Sequence, residues 1–284
     1  MNIFNLAKLI SRVKASHRHL IRCRWERGEK TCPFCRRTKP YVLANGRYRC
    51  RRCKNNFSDF TGTWLHHARI SAAQWLVIIK IFEMELSARQ AARQANLNYK
   101  TVARGYTIIR QAIVFKTDRS FAKLSGEVEA DESYFGGRRK GNRGRGAAGK
   151  VPVFGLLERN GRITVSVVPD VTRESLMNLT IKKVRFGSII YTDKYRTYDT
   201  LMTFGYKHRR IDHQRRFAKG PVYINGLEGF WSYAKERLIK FHGVSQHRFP
   251  LYLKEMEFRY NHRNNNKMFN ILCSLLTKPV ELSG

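Results

Sequence analysis

The sequence has few acidic residues and no long apolar run. Asp and Glu total 21 among 284 residues, against 55 Lys and Arg, which leaves a formal net charge of +34. The longest apolar stretch, WLVIIKIF at 75–82, contains a lysine and is much shorter than the roughly 20 residues that a bilayer requires. We therefore predict no transmembrane span, and we find no amphipathic anchor or lipidation signal for a membrane surface.

The N-terminal stretch 1–20 also lacks the features of a secretory signal, because its apolar part is short and no small-residue cleavage site follows. We expect an intracellular protein whose thiols stay reduced. The positive charge extends from Arg12 to Arg263, and a basic field of this breadth is typical of proteins that bind a polyanion. The length allows one catalytic domain with one or two small modules.

Four of the six cysteines form two C-x2-C pairs, Cys32 with Cys35 and Cys50 with Cys53, separated by fourteen residues. Two such pairs can complete a tetrahedral site of four thiolates, which suits structural zinc. Asn45-Gly46 predicts a hairpin turn between the pairs, as in a zinc ribbon. Disulfides or four unrelated buried thiols are the alternatives. Basic side chains around the module are predicted to contact DNA: Arg36, Arg37, Arg49, Arg51 and Arg52.

From residue 71 to residue 112 the apolar pattern becomes helical, and Ser71 and Ser87 are predicted N-caps. A turn at 96–98 between two helices indicates a helix-turn-helix, although a plain helical hairpin would give the same pattern. In the helix-turn-helix interpretation, the second helix begins with four residues that face the major groove: Tyr99, Lys100, Thr101 and Arg104.

Three carboxylates carry most of the functional information in the C-terminal part of the chain. Asp131 lies in a predicted strand at 127–135, and Asp193 ends a short apolar strand. Glu228 begins an amphipathic helix, with Lys235 seven residues later. Hard divalent cations prefer carboxylate oxygens, and in a chain this basic the natural substrate of such a metal centre is a phosphodiester.

The order of predicted elements is three antiparallel strands followed by alternating helices and strands. This predicts an α/β fold with an RNase H-like mixed sheet flanked by helices. The segment 136–150 contains six glycines and six basic residues in fifteen positions, so we expect it to bind DNA, with a simple linker as the alternative. Its predicted DNA contacts are Arg138, Arg139, Lys140, Arg143 and Arg145.

Four sequence blocks behind CPFC and CRRC resemble insertion-sequence transposases of the ISXO-like group, which are DDE-class recombinases. The blocks are ADESYFGG, TDKYRTYD, INGLEGFWSYAKERL and FRYNHR. The resemblance implies a metal-dependent DNA transposase that acts on terminal inverted repeats. It also implies a cytoplasmic, nucleoid-associated bacterial protein that assembles as a dimer or larger on paired DNA ends.

Transferred to this sequence, the resemblance makes Asp131, Asp193 and Glu228 the ligands of two Mg²⁺ or Mn²⁺ ions. Lys235 becomes a contact to DNA phosphate. Some relatives have asparagine as the third ligand, so Asn225, one turn before Glu228, is the alternative. We favour Glu228 because a carboxylate binds a hard cation better than a neutral amide does.

These features predict four regions along the chain. They are an N-terminal helical segment at 1–25, a zinc ribbon at 26–64, a helix-turn-helix-like region at 65–122 and an RNase H-like catalytic domain at 123–284. Two other functions remain open from the sequence. One is an RNase H-like nuclease or resolvase that cuts without joining, and the other is a zinc-ribbon regulator with an inert catalytic domain.

Overall fold

The structure is a computed structural model that describes residues 1–25, 28–66, 68–119, 122–136, 150–159, 161–192, 202–210, 225–241 and 243–280. The chain divides into two compact units. The first contains residues 1–116 and 264–284, and the second contains residues 117–263. Within the described ranges, no helix has the length and apolar character needed to cross a membrane.

A small antiparallel sheet in the first unit contains the two cysteine pairs. Its strands, in spatial order, are β1 (Tyr41–Val42), β2 (Tyr48–Arg49) and β3 (Asn56–Phe57). Gly46 has a φ of +74°, and its N–H donates to the Leu43 carbonyl at 2.9 Å, which closes the turn between β1 and β2. The predicted hairpin is therefore present, and β3 adds a third strand to it.

Six helices accompany this sheet in the described part of the first unit. They are α1 (Ile3–Ile10), α2 (Val13–Arg24), α3 (Ala72–Glu83), α4 (Ala88–Ala95), α5 (Tyr99–Asp118) and α9 (Met268–Thr277). Ser71 and Ser87 cap α3 and α4, each in a capping box with the glutamine three residues later. Asn96 ends α4 in the left-handed conformation, with φ 50°. The predicted caps and turn are thus confirmed.

The last helix, α9, belongs to the first unit, whereas the sequence predicted that 264–284 would pack in the catalytic domain. The helix contacts α2 and α3. The ring of Phe269 lies 6.2 Å from that of His19, and the Phe269 N–H donates to the Glu83 carboxylate at 3.0 Å. The amphipathic pattern correctly predicted a helix with one buried face, but such a pattern does not identify the surface that covers the face.

The second unit is built on a five-stranded mixed sheet in the order β6-β5-β4-β7-β8. The strands β4, β5 and β6 are antiparallel neighbours, whereas β7 runs parallel to β4, and β8 runs parallel to β7. The mixed α/β fold class is therefore confirmed. The strands are β4 (Glu127–Phe135), β5 (Val151–Glu158), β6 (Ile163–Val167), β7 (Ile189–Thr192) and β8 (Lys207–Arg210).

Helices cover both faces of this sheet and enclose two apolar cores. They are α6 (Arg173–Lys183), α7 (Asn225–Ile239) and α8 (Phe249–Asn261). Val128 and Ala130 of the central strand β4 point into the core beneath α6. Side chains alternate along a strand, so Glu129, Asp131 and Ser133 point to the opposite face, towards α7 and α8.

The edge strand β6 is covered by polar side chains of α8. Asn261 accepts a hydrogen bond from the Ile163 N–H at 2.8 Å and donates to the Ile163 carbonyl at 2.9 Å. Glu257 accepts from the Val165 N–H at 3.0 Å. These side chains take the place of a further strand and satisfy backbone groups that an open edge would leave unpaired.

Candidate active site and nucleic-acid interface

Asp131 lies on the central strand β4 and is linked directly to α7. Its side chain is half-buried, and its Oδ2 accepts a hydrogen bond from the indole Nε1 of Trp231 at 2.9 Å. Gly155 of β5 pairs with Asp131 of β4. A Cβ at Gly155 would lie 2.7 Å from the Trp231 ring. The glycine therefore leaves the space in which the indole packs against the sheet.

Glu228 and Lys235 lie on the same side of α7 as Trp231. The three residues are spaced i, i+3 and i+7, which brings them onto one helix face. Glu228 and Lys235 are exposed, and Trp231 is buried. The Lys235 ammonium lies 5.7 Å from the ring centroid of Phe135, at the end of β4. Trp231 thus links α7 to the face of β4 that carries Asp131, and Glu228 and Lys235 lie on the adjoining exposed side of the helix.

Asn225, the alternative third ligand, is exposed at the first position of α7. At about 100° of rotation per residue, Asn225 lies about 120° around the helix from Trp231, and Glu228 lies about 60° from it. Glu228 is therefore closer to the side of α7 that meets Asp131, which favours Glu228 over Asn225.

Some predicted residues lie outside the described parts of the chain. Asp193 is one of them, and the described chain before it ends at Thr192, the last residue of β7. The predicted DNA contacts in the basic glycine-rich segment are also outside: Arg138, Arg139, Lys140, Arg143 and Arg145.

Glu129 is a buried acid on the same face of β4 that the sequence analysis did not select. It is 1% exposed, and its Oε2 accepts a hydrogen bond from the Leu227 N–H at 3.0 Å, in the first turn of α7. Burial raises the pKa of Glu129, while the hydrogen bonds from the N-terminus of α7 and the charge of Arg159 act in the opposite direction. An acid two residues before Asp131 on the inward face was the available signal.

Arg159 supplies the positive charge beside this carboxylate. Its Nε lies 3.5 Å from Glu129 Oε1, and its Nη1 donates to Glu127 Oε2 at 2.8 Å. The guanidinium also stacks on the Tyr191 ring at 3.7 Å. The arginine thereby contacts side chains of two neighbouring strands, two acids of β4 and the tyrosine of β7.

The four predicted zinc ligands converge in the first unit. The Sγ atoms of Cys32, Cys35, Cys50 and Cys53 all lie within 4.8 Å of one another. A Zn–S bond of about 2.3 Å requires tetrahedral sulfurs about 3.8 Å apart, so the cluster fits zinc. Burial acts to raise the pKa of Cys50, but hydrogen bonds from the backbone N–H groups of Cys53 and Arg52 lower it to about 6. Among the described residues, this is the only group of three or more His, Cys, Asp or Glu side chains that could hold a metal ion.

The basic residues predicted to contact DNA from the ribbon are all exposed: Arg36, Arg37, Arg49, Arg51 and Arg52. In α5, Tyr99, Lys100 and Arg104 are exposed and Thr101 is half-buried. On the opposite side of α5, Val102 and Tyr106 are buried. The polar face of α5 is therefore available to a ligand, as the prediction requires.

Comparisons with known proteins identify the family of this chain. A model described as the ISXO2-like transposase domain matches residues 123–261. An uncharacterised transposase-like protein of Haemophilus influenzae is 40% identical over 115 residues, which cover 40% of this chain and 94% of that protein. The chain belongs to the ISXO2-like transposase family.

Two further similarities involve longer parts of this transposase. An uncharacterised protein in the transposable element ISH50 of Halobacterium salinarum is 29% identical over 265 residues, covering 84% of the transposase and 88% of that protein. The crystal structure of a pre-cleavage Mos1 transpososome aligns with 72% of the transposase and 77% of its own chain. Its sequence identity is 13% and its TM-score is 0.31.

Proposed function

We propose that this protein is a DNA transposase that binds the terminal inverted repeats of an insertion sequence. It catalyses metal-dependent strand cleavage and strand transfer by direct attack of a hydroxyl on a phosphodiester. The hydrogen bond between Asp131 and Trp231 carries the proposal, because it brings the acid of β4 to the helix face that bears Glu228 and Lys235.

The topology of the second unit supports an RNase H-like catalytic domain. Three antiparallel strands are followed by two parallel strands on the other side of β4, and α7 covers one face. This is the plan predicted from the sequence. It supports a site that combines an acid of the central strand with an acid of the helix that covers the same face of the sheet.

Asp193 enters the proposal from its position in the sequence. It directly follows Thr192, the last residue of β7. In the parallel pairing of β4 with β7, each residue pairs with one 62 positions later, as Glu129 does with Tyr191. The same interval separates Asp131 from Asp193, which supports their joint assignment as ligands.

The donor set suits two Mg²⁺ or Mn²⁺ ions. Asp131 and Glu228 supply hard carboxylate oxygens, and each retains some exposure to solvent. Divalent ions bound there would polarise the scissile phosphate and make the attacking hydroxyl more acidic. Trp231 orients the Asp131 carboxylate, and Lys235 neutralises DNA phosphate as a mobile positive charge. The reaction needs no nucleophile from the protein.

DNA binding is assigned to the first unit and to the general positive charge. The zinc ribbon presents exposed arginines, and α4 with α5 forms a helix-turn-helix whose exposed α5 residues read the major groove. The basic segment at 136–150 adds phosphate contacts. Because two element ends react together, we expect a homodimer or larger assembly on double-stranded DNA, acting at the bacterial nucleoid in the cytoplasm.

A mobility assay in cells tests this function. A marker flanked by the native bordering DNA of the gene is supplied with wild-type protein, Glu228→Gln or Glu236→Gln. The matched control, Glu236, is 79% exposed on the same helix and pairs with Arg237. We expect marker movement with wild type and Glu236→Gln, and a loss of at least about 100-fold with Glu228→Gln, since a metal ligand is removed.

The other outcomes are equally informative. If Glu228→Gln moves the marker as efficiently as wild type does, Glu228 is not a metal ligand. Asn225 would then be the third ligand to test. If wild-type protein moves no marker, but the purified protein nicks DNA with Mg²⁺, the protein is a nuclease. Failure of both reactions with wild-type protein would overturn the proposed function and favour a DNA-binding regulator.

A further inference from the structure

We propose that Glu129 is a positioning residue that holds the N-terminus of α7 against β4 and thereby sets the placement of Glu228 relative to Asp131. The proposal rests on the function proposed above. Glu129 lies two residues before Asp131 on the same strand face, and the helix residue that it binds, Leu227, directly precedes Glu228. The contact therefore links a side chain two residues before Asp131 to the backbone N–H of the residue directly before Glu228.

The contact joins a carboxylate to the N-terminus of a helix. A helix N-terminus has N–H groups without intrahelical partners and a partial positive charge, and both favour a carboxylate. Glu129 Oε2 accepts a hydrogen bond from the Leu227 N–H at 3.0 Å, in the first turn of α7. A residue of β4 thus caps α7, although about a hundred residues separate the two in sequence.

The contact also requires space at Gly226, which precedes Leu227. A Cβ at Gly226 would lie 2.8 Å from Glu129 Oε2 and 2.4 Å from the Leu157 side chain. Both distances are too short for a real Cβ contact. Gly226 is therefore present because the helix approaches the sheet closely at this carboxylate.

The surroundings of Glu129 suit a positioning residue more than a direct ligand of a metal ion. Glu129 is 1% exposed, and both of its oxygens are engaged. Oε2 binds the helix, and Oε1 lies 3.5 Å from the Arg159 guanidinium, which also binds Glu127. A carboxylate that is buried and satisfied in this way orients its neighbours, in contrast to the more accessible Asp131 and Glu228.

The experiment measures Mn²⁺ binding to the purified full chain by calorimetry, together with thermal unfolding and Mn²⁺-dependent DNA cleavage. Glu129→Ala removes the cap, and Glu129→Gln keeps an oxygen that can accept from the Leu227 N–H. The matched control is Glu127→Gln. It removes another acid of β4, which binds the same arginine as Glu129 does. Glu127 has no hydrogen bond to α7 among those found in the described residues.

Loss of a residue that orients metal ligands typically weakens metal binding by roughly 10- to 100-fold. We expect a weakening in that range for Glu129→Ala, with partial rescue in Glu129→Gln and affinity close to wild type in Glu127→Gln. A role in stability alone would lower the unfolding temperature of Glu129→Ala and leave the Mn²⁺ affinity of the folded fraction unchanged. That result would overturn the proposal.

Gly226→Ala provides a second variant if Glu129→Ala does not fold. The added Cβ displaces Glu129 from the helix without removing its charge, and alanine favours a helix more than glycine does. We expect weaker Mn²⁺ binding here as well, whereas an affinity equal to wild type would contradict the proposal. If Asp131→Asn and Glu228→Gln bind Mn²⁺ as wild type does, the proposed metal site itself is wrong, which is a different failure.

Discussion

At the scale of single residues, Trp231 connects two parts of the candidate site. Its indole N–H donates to Asp131, while its ring packs against Gly155 and lies 6.0 Å from the ring of Phe135. The ring packs in the apolar core, and the N–H orients the Asp131 carboxylate. A substitution that keeps an aromatic ring but removes the N–H separates these two roles.

Trp231→Phe is that substitution. We expect Mn²⁺-dependent DNA cleavage per folded molecule to fall roughly tenfold, because Asp131 loses a donor that orients it. The free energy of unfolding should fall by only about 1 to 3 kcal/mol, from the lost hydrogen bond and the smaller ring. Cleavage kinetics and urea unfolding measure the two effects.

Trp75→Phe is the control for this substitution. Trp75 is buried in α3, and its ring nitrogen has no hydrogen-bond partner in the part of the chain that the structure describes. The same change of ring should therefore leave cleavage per folded molecule close to wild type. Equal cleavage by Trp231→Phe and wild type would show that Asp131 does not need this donor.

Asp131 and Glu129 differ in how far the sequence alone could identify them. Asp131 could be selected because it lies in the block ADESYFGG, which resembles the family, and its strand has the predicted bounds. Glu129 lies on the same face of that strand, but its partners are Leu227 on α7 and Arg159 beyond β5. Its role depends on which helix covers the strand, and that information is absent from local periodicity.

At the scale of elements, the four-cysteine ribbon has too little apolar content to fold alone. Its strands have two residues each, and its buried core consists of Tyr48, Phe57 and cysteines. In such modules the free energy of metal binding supplies the free energy of folding. This element was predictable from the sequence, because the spacing of the two C-x2-C pairs identifies the four ligand residues without knowledge of the fold.

Removal of zinc with a strong chelator should unfold the ribbon and expose the segment 28–64 to proteolysis. Binding to element ends should weaken at the same time, since the ribbon arginines lose their arrangement. Zinc content per chain, proteolytic mapping and DNA-binding titrations measure these effects. Cys35→Ser should reproduce them, and Cys23→Ser, on α2 outside the cluster, should retain one zinc per chain. Full zinc content in Cys35→Ser would contradict the assignment.

At the scale of the whole molecule, the chain leaves the first unit after residue 116 and returns to it at residue 264. The proposed catalytic acids and the proposed DNA-reading elements therefore belong to separate compact units, each with its own buried side chains. The order of elements was predictable from the sequence. The return of α9 was not, because the apolar face of an amphipathic helix fits any complementary apolar surface.

This division predicts that a change in the last helix affects the unit at the other end of the chain. Leu276 of α9 is fully buried, and α9 packs on α2 and α3. Leu276→Ala should destabilise the first unit by about 2 to 5 kcal/mol through the lost burial and the resulting cavity. Binding to element ends should weaken, and Mn²⁺ binding in the second unit should be unchanged.

Hydrogen exchange followed by mass spectrometry locates the effect. Faster exchange is expected in α2 and α3, with β4 and β7 unchanged. Asn270→Ala, at an exposed position of the same helix, should alter neither region. If Leu276→Ala accelerates exchange in β4 and weakens Mn²⁺ binding to the same degree, the two units unfold as one. The last helix would then stabilise the catalytic sheet as much as it stabilises the DNA-binding elements.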